Sequence, residues 1–355
     1  MTSTESATSP RHRKIVVTGA SGNVGTGVLR ALAAQLPDVE VVGVCRRPPT
    51  ADRSSSIPAP YARVRWHSVD LGAPGAATAL EPVMRGADAV VHLAWAIQPV
   101  RDAQYLHRVN VGGTRAMLRA AAAAGVEQIV YASTLGVYAP GATEPVSEDW
   151  PDSGQRTSTY SRNKVAVERM LDQFSRDNPG TAVARFRPTL VVQREAASEI
   201  RSLFLGPLLP RPLLALLRRR VLPLLPLPAG LSLQFVHADD VGDAVVRILH
   251  RRAEGPYNLA ADALGPAALA DLLGARPVEV AQRSVRAVVA ALYALRAIPV
   301  SPGWFDVALN TPLMDTTRAR VVLGWAPARS SSDGARELLD GLAEGVVGAS
   351  PALGG

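Results

Sequence analysis

Tyr160 and Lys164 are the two residues whose types and spacing most clearly suggest chemistry. Lysine is rare in this chain, since Lys14 and Lys164 are the only lysines among 38 basic residues. Residues four apart share one face of a helix, so the phenol and the ammonium would lie side by side. An ammonium in that position favours the phenolate and lowers the pKa of the tyrosine from about 10. The pair therefore predicts Tyr160 as a general acid/base, the alternative being a helix-surface pair without a role.

A glycine-rich turn, TGASGNVG, follows the first apolar run of the chain. Its three glycines would let the backbone turn tightly and approach a pyrophosphate, and the next helix would supply N–H donors from its N-terminus. A turn between a strand and a helix at the start of a domain is the context that dinucleotide binding requires, which favours this interpretation over a structural turn. The residues predicted to contact the cofactor here are Gly19, Ser21, Gly22, Asn23, Val24 and Gly25.

The end of the second predicted strand bears on the choice of cofactor. An acidic residue at this place would hydrogen-bond the adenosine 2′-hydroxyl of NAD. The chain has Cys45, Arg46 and Arg47 there instead, and guanidinium groups suit a 2′-phosphate. The sequence therefore favours NADP over NAD, with Arg46 and Arg47 as its contacts. The alternative is that one or both arginines merely point into solvent.

Apolar strand-like runs alternate with helical patterns along the first half of the chain. The runs lie at 14–17, 39–44, 62–67, 87–94, 128–133 and 181–188, and the clearest helical patterns at 24–36, 104–124 and 160–177. Strands and helices alternating at this spacing predict an α/β fold, a Rossmann-like doubly wound parallel sheet. Such a sheet would bring the glycine turn and the residues that follow each strand to one edge.

The predicted domain organisation has two parts between two disordered tails, 1–12 and 346–355. Residues 13–188 form the NAD(P)-binding domain, and 189–345 form a smaller substrate-binding lobe that returns to the core near 235–260. Its segment 200–233 is rich in leucine, proline and arginine, and no apolar run there reaches the length of a membrane span without a charge. A packed substrate lobe is favoured over an apolar lid or a membrane-contacting surface.

Composition excludes several function classes. The chain has 355 residues, 47% hydrophobic and 19% charged, which describes a globular protein with a substantial core. Its net charge is +7, but the arginines are scattered and not interleaved with aromatic residues, so nucleic acid is not an expected partner. Cys45 is the only cysteine, and His92 and His237 are isolated in apolar surroundings, so no metal site is expected. The polar N-terminus and the single cysteine favour the cytoplasm.

Together, TGASGNVG, the later YSRNK and a separate Ser-Thr pair at the end of the fifth strand resemble the short-chain dehydrogenase/reductase superfamily. The chain is most similar to its extended branch, the NAD-dependent epimerase/dehydratase family, over residues 13 to 345. The resemblance implies an enzyme that acts on a small molecule and forms a homodimer through the helices at 104–124 and 160–177. It also implies that Tyr160 and Lys164 are the catalytic pair.

The resemblance implies roles for further residues. Thr134 would lie at the substrate oxygen, and Asn110 would help to order the site. Further residues on the cofactor side would be Asp70, Leu71, Ala94, Ser133, Lys164 and Pro188. Trp95, which follows the fourth strand, is a candidate for the wall of the substrate pocket, with a packing role as the alternative. Arg194 is a candidate for binding a substrate diphosphate, with a solvated surface charge as the alternative.

One departure from the family pattern reduces the range of reactions that the sequence supports. The sugar-nucleotide dehydratases of the family follow the catalytic threonine with an Asp-Glu pair, whereas Leu135 and Gly136 follow Thr134 here, so dehydration is not expected. The sequence favours an NAD(P)-dependent oxidoreductase that transfers hydride at a secondary alcohol or ketone carbon. A nucleotide-sugar epimerase with tightly bound NAD is the alternative. A non-catalytic NADP sensor is less favoured, because sensors of this kind typically lack the Tyr-Lys pair.

Overall fold

The computed structural model describes residues 12–50, 57–97, 101–205 and 224–354. Residues 1–11 of the predicted N-terminal tail and residues 206–223 of the leucine-rich segment lie outside these ranges. The main strands are β1 Lys14–Thr18, β2 Glu40–Cys45, β3 Arg65–Ser68, β4 Ala89–His92, β5 Gln128–Ala132 and β6 Ala182–Pro188. The shorter or later strands are β7 Leu190–Val192, β8 Leu224–Pro228, β9 Leu233–His237, β10 Gly255–Leu259, β11 Ala263–Leu264 and β12 Arg276–Val280.

Helices cover both faces of the main sheet. In chain order they are α1 Asn23–Gln35, α2 Ala76–Met84, α3 Ala103–His107, α4 Gly113–Ala123, α5 Thr159–Asp177 and α6 Ala197–Ile200. The later ones are α7 Ala238–Arg251, α8 Pro266–Asp271, α9 Gln282–Ala294, α10 Pro302–Asn310 and α11 Ser331–Glu344. The helices α1 and α7 approach closely, since a Cβ on Gly27 would lie 2.1 Å from the Ala238 carbonyl oxygen.

The predicted doubly wound sheet is confirmed. Seven strands pair in the order β10-β6-β5-β4-β1-β2-β3, and every pairing is parallel. Ile15 to Val17 are fully buried, as expected for a central strand with helices on both faces. The strand order reverses between β1 and β4, and this switch point is where an open α/β sheet leaves a crevice at the carboxyl ends of its strands.

The later part of the chain returns to this sheet and also builds two small ones. β10 pairs with β6 at the sheet edge, and α7 packs beside α1. The small sheets have the orders β11-β9-β7 and β12-β8. β7 begins two residues after β6 ends, and residues of β7 and β9 line the cavity, so the three-stranded sheet lies next to the crevice.

Two predicted elements differ from the observed ones. The run at 62–67 becomes a strand only from Arg65, because residues 61–63 turn to bury Tyr61, whose hydroxyl bonds Thr26 at 2.8 Å. The helical pattern at 104–124 is divided by a π-helical stretch at Arg108–Gly112. There the Asn110 side chain bonds the backbone of Ala96, and such an interruption often marks a functional position.

Residues 346–354, which are expected from the sequence to lie in a disordered tail, pack against the rest of the chain. Leu353 is fully buried in an apolar cluster with Val192, Ile200 and Leu342. The Ser350 hydroxyl donates to the Ser21 carbonyl at 2.5 Å. Burial of Leu353 provides the free energy that orders this short segment, and the segment then lies against the glycine turn.

Candidate active site

The glycine turn has the geometry that a dinucleotide pyrophosphate requires. Gly19 has φ +70°, and a Cβ there would lie 2.6 Å from the backbone nitrogen of Ala94. A Cβ on Gly25 would lie 2.5 Å from the Gly19 carbonyl oxygen. No side chain caps the N-terminus of α1, so its first N–H groups face the crevice. The residues present therefore fit the cofactor that the turn implies.

A cavity of about 680 Å³ runs from this turn across the carboxyl ends of the strands. Every residue predicted to contact the cofactor lines it, and so do Thr134 and Trp95. Arg46 and Arg47 are exposed at its edge, where Arg46 donates to the Tyr105 hydroxyl at 2.9 Å. Asp70 is also exposed and accepts a hydrogen bond from the Gly72 backbone.

Tyr160 enters the cavity from the first turn of α5. The start of this helix is fixed because the Ser161 hydroxyl donates to the Gly136 carbonyl at 2.6 Å. Tyr160 makes a hydrogen bond with Thr134, and Thr134 accepts one from the Gly136 backbone at 3.2 Å. The phenol and the threonine hydroxyl are thus together at the end of β5, where a substrate oxygen could reach both.

Lys164 is one turn further along α5 and is buried. Its ammonium donates to the Ala132 carbonyl at 2.6 Å and lies 3.7 Å from the centre of the Trp95 ring. Burial holds the pKa of Lys164 well below its usual range, and the charge of Glu168 opposes that effect. The ammonium is therefore directed at β5 and the indole rather than at the phenol.

The pKa of Tyr160 moves in the opposite direction to the one that its spacing from Lys164 predicts. Burial raises the pKa of Tyr160 to about 12, and the hydrogen bond with Thr134 offsets only part of that rise. The aromatic neighbours supply the burial, since the Tyr160 ring is 4.4 Å from that of Trp304 and 6.0 Å from that of Trp95. Tyr160 is therefore a protonated phenol at neutral pH, ready to donate.

Trp304 is a site residue that the sequence analysis missed. It lies on α10, which reaches the start of α5 because Gly303 has no side chain: a Cβ there would lie 2.6 Å from the Thr157 carbonyl oxygen. The ion pair between Arg286 and Asp306 holds α10 against α9, with 2.7 Å between Nε and Oδ1. The only local sequence signal is the Ser-Pro-Gly helix start, and it does not indicate which residues this helix packs against.

Asn110 orders the site from behind. Its amide accepts from the Ala96 backbone nitrogen at 2.7 Å and donates to the Ala96 carbonyl at 2.9 Å. These bonds fix the segment that carries Trp95. Asn110 does not line the main cavity but a neighbouring pocket that Tyr160 also lines.

A buried charge cluster supports the floor of the site. Glu168 accepts hydrogen bonds from Arg187, with Nη2 at 2.5 Å from Oε2, from Arg185 at 3.2 Å and from the Ser133 hydroxyl. Burial raises the pKa of Glu168, but the two arginines and Ser133 outweigh it, so the net direction is downward. The Ser133 hydroxyl is thus engaged with Glu168 although the residue lines the cavity.

Glu168→Gln is expected to reduce the free energy of unfolding by about 3–5 kcal/mol, because it removes the one buried carboxylate that Arg185 and Arg187 share, and their other partners, Asp172 and Asp152, are partly exposed. Since the folded pKa is lowered, the stabilisation is present above the ordinary glutamate range and is lost as pH falls through the folded pKa. Denaturant unfolding at neutral and acidic pH measures both. Asp177→Asn, at the exposed end of the same helix, should change stability by less than about 0.5 kcal/mol. Equal stability of Glu168→Gln and the wild type would contradict this.

The structure does not place Arg194, the predicted diphosphate contact, in the lining of the cavity. Its guanidinium pairs with Glu344 on α11.

The two histidines are packed as expected. His92 bonds Thr18 at 2.6 Å and Thr114 at 3.0 Å, and burial followed by the charge of Lys164 lowers its pKa to about 3. His237 accepts from the Asp239 backbone at the start of α7.

No cluster of histidine, cysteine and acidic side chains in the described ranges could hold a metal ion. None of the helices in those ranges is long and apolar enough to cross a membrane.

The comparisons with known proteins agree with the geometry. A family described as NAD dependent epimerase/dehydratase matches residues 15–260. A UDP-glucose 4-epimerase of Azospirillum brasilense is 28% identical over 350 residues, 93% of this chain and 91% of its own. The structure of the Thermus thermophilus UDP-glucose 4-epimerase in complex with NAD has a TM-score of 0.65 at 22% identity, covering 94% of this chain and all of that one. DesIV, a dTDP-glucose 4,6-dehydratase from Streptomyces venezuelae with NAD bound, has a TM-score of 0.64 at 21% identity, covering 93% and 97%.

The fold and the glycine-lined crevice define an enzyme of the extended short-chain dehydrogenase/reductase type. The chain belongs to the NAD-dependent epimerase/dehydratase family.

Proposed function

We propose that this enzyme reduces a ketone, or oxidises the matching secondary alcohol, of an apolar small molecule with a nicotinamide dinucleotide. The observation that carries the proposal is the continuity of one cavity. It begins at the glycine turn, passes Tyr160 and Thr134, and ends among apolar side chains of the second lobe. The bound nicotinamide would supply or accept the hydride, and the protein would bind, orient and move the proton.

The protein side of the reaction uses two hydroxyl groups. Thr134 would donate a hydrogen bond to the substrate carbonyl oxygen, which stabilises the charge that develops there. Tyr160, a neutral phenol at pH 7, would give its proton to the same oxygen as the alcohol forms. Lys164 would hold the ribose of the cofactor. In the free structure its ammonium is held by the Ala132 carbonyl.

The substrate end of the cavity supports an apolar substrate. The apolar side chains that line it are Leu190, Leu203, Leu233, Phe235, Val289, Val300, Trp304, Phe305, Val307 and Leu313. A sugar presents hydroxyl groups on every side and would leave several of them without hydrogen-bond partners against these walls, which costs about 1–3 kcal/mol for each buried group. Among the polar side chains that also line the cavity, Gln234 is hydrogen-bonded to the backbones of Ala261 and Met314. The hydroxyls of Thr189 and Thr311 are buried without a partner among the described residues.

We infer NADP as the preferred cofactor because Arg46 and Arg47 are the cations at the end of β2 and line the cavity. Replacing both with alanine should raise the Kd of NADP about tenfold or more and leave the Kd of NAD within about twofold. Arg63→Ala is a suitable control, since Arg63 is exposed, bonds the Pro37 carbonyl at 2.9 Å and does not line the cavity. Fluorescence titration of both cofactors measures the effect. Equal weakening of NAD and NADP would contradict the assignment.

A second candidate is a nucleotide-sugar epimerase, which the likeness to the Azospirillum UDP-glucose 4-epimerase over 91% of its length favours. In that case the cofactor stays bound and no net oxidation occurs. A substrate panel divided between nucleotide sugars and apolar ketones separates the two. Net consumption of NADPH with the ketones supports the proposal, and inversion of UDP-glucose without cofactor turnover supports the epimerase. A sensor role is disfavoured by the complete set of Thr134, Tyr160 and Lys164.

The homodimer and the cytoplasmic location remain predictions. Met170 and Phe174 are only partly buried on α5, so the helix proposed for the interface keeps some apolar surface. A dimer of this kind would add a second copy of α4 and α5 and leave the cavity of each copy as described.

A further inference from the structure

Glu199 is a carboxyl group at the substrate end of the cavity for which the proposed reaction has no use. It lies on α6, and it lines the cavity together with Ile200 and Leu203. Among the described residues that line this cavity, the only other acidic one is Asp70, which lies with the cofactor-binding residues after β3. Glu199 is therefore the acidic group that a substrate in the second lobe would meet.

The Glu199 carboxyl has no partner within the described part of the chain. Its Oε2 is shielded from solvent and accepts no hydrogen bond there. The cations that line the same cavity are Lys164, which is held by Ala132, and the two arginines at the end of β2. Burial without a compensating charge raises the pKa of Glu199 to about 7. A buried polar group in this state costs free energy unless a ligand satisfies it.

The position of Glu199 is fixed rather than adaptable. The adjacent Ala197 and Ile200 are buried in the cluster that includes Leu342 and Leu353. α11 packs closely against this region, since a Cβ on Gly341 would lie 2.7 Å from the Arg194 carbonyl oxygen. The backbone that carries the carboxyl is therefore held by the C-terminal helix and the segment after it.

We propose that Glu199 selects the substrate by accepting a hydrogen bond from a donor group, a hydroxyl or an ammonium, on an otherwise apolar molecule. This inference rests on the proposed function and names its substrate class more closely. The same carboxyl disfavours a diphosphate, because two negative charges in a poorly solvated cavity repel each other. Selection of this kind works through the cost of leaving a buried polar group unpaired.

Binding of three matched probes to the NADP-saturated protein tests the proposal. Phenylbutylamine, phenylbutanol and phenylbutyrate share one apolar skeleton and differ in the group offered to Glu199. Calorimetry at about pH 8 keeps the carboxyl ionised and the amine charged. We expect the wild type to bind the amine about tenfold or more tighter than the carboxylate, with the alcohol between them.

Glu199→Gln should reduce the tenfold preference for the amine over the carboxylate to less than about threefold, with the Kd of NADP unchanged. Glu195→Gln is the matched control: Glu195 is four residues earlier on the same segment and does not line the cavity, so this variant should keep the wild-type preference. UDP should bind Glu199→Gln more tightly than it binds the wild type, since the repelling charge is gone.

Three results would overturn the proposal: an unchanged amine preference in Glu199→Gln, an equal loss of it in Glu195→Gln, or a change confined to NADP affinity. These results are separate from the fate of the proposed function. Ketone turnover by the wild type together with unaltered selectivity in Glu199→Gln would contradict the role of Glu199 and would leave the proposed function intact. Lost selectivity in Glu199→Gln, together with no ketone turnover by the wild type, would support the role of Glu199 and contradict the proposed reductase activity.

Discussion

Lys164→Arg is expected to lower kcat by about 100-fold or more while the protein stays folded. Lys164 fits a confined place: its ammonium is 2.6 Å from the Ala132 carbonyl oxygen and 3.7 Å from the centre of the Trp95 ring. The broader planar guanidinium carries the same charge but does not fit between these groups without displacing the indole. Because the indole also contacts Tyr160, the acid/base residue would move too.

The chain supplies its own control for this change. Lys14 is the other lysine, and its ammonium bonds the Arg85 carbonyl at 2.9 Å, remote from the cavity. Lys14→Arg should have near-normal kcat, and circular dichroism should show both variants folded. Near-normal turnover in Lys164→Arg would mean that a cation of any shape suffices, and the role assigned to the compact ammonium would then be wrong.

Tyr160→Phe should reduce kcat by about 10³-fold, within the range that a positioned proton donor contributes. The substitution removes only the hydroxyl, so the ring should still pack against Trp95 and Trp304 and the Kd of the cofactor should hardly change. Steady-state kinetics on an apolar ketone, together with a cofactor titration, measure the two quantities separately. A fall in cofactor affinity of the same size as the fall in kcat would indicate a binding role instead.

Tyr131→Phe is the control variant for Tyr160→Phe. The Tyr131 ring lies 4.8 Å from the Lys164 ammonium, and its hydroxyl is buried with no hydrogen-bond partner in the described part of the chain. Removal of a hydroxyl in that state is nearly neutral for stability, because no bond is lost. Activity close to wild type in Tyr131→Phe beside a loss in Tyr160→Phe would assign the proton to Tyr160 rather than to Tyr131.

Local sequence signals were sufficient for the parts of the site that single elements build. The glycine turn lies between one strand and one helix, and the Tyr160 and Lys164 spacing lies within α5, so both could be predicted. Thr134 at the end of β5 followed from the resemblance. The parallel sheet followed from the alternation of runs, because strands buried on both faces read as continuous apolar sequence.

The electrostatics of the site could not be predicted, because they depend on burial by distant elements. Trp304 on α10 packs on Tyr160 and contributes to raising its pKa, against the direction that the helix spacing alone suggests. From the sequence, Arg194 was a candidate substrate contact, but in the fold it pairs with Glu344 on α11. Glu199 had no sequence signal at all, since a single glutamate becomes notable only when its surroundings exclude water.

The most direct test of the account follows the hydride itself. Purified enzyme is incubated with phenylbutanone and NADPH that carries deuterium at the transferable position, and in parallel with UDP-glucose and NAD. We expect one deuterium at the carbinol carbon of the alcohol for each NADPH oxidised, and no reaction of the sugar. Conversion of UDP-glucose to its epimer with the cofactor still bound, and no deuterium in any alcohol, would contradict it.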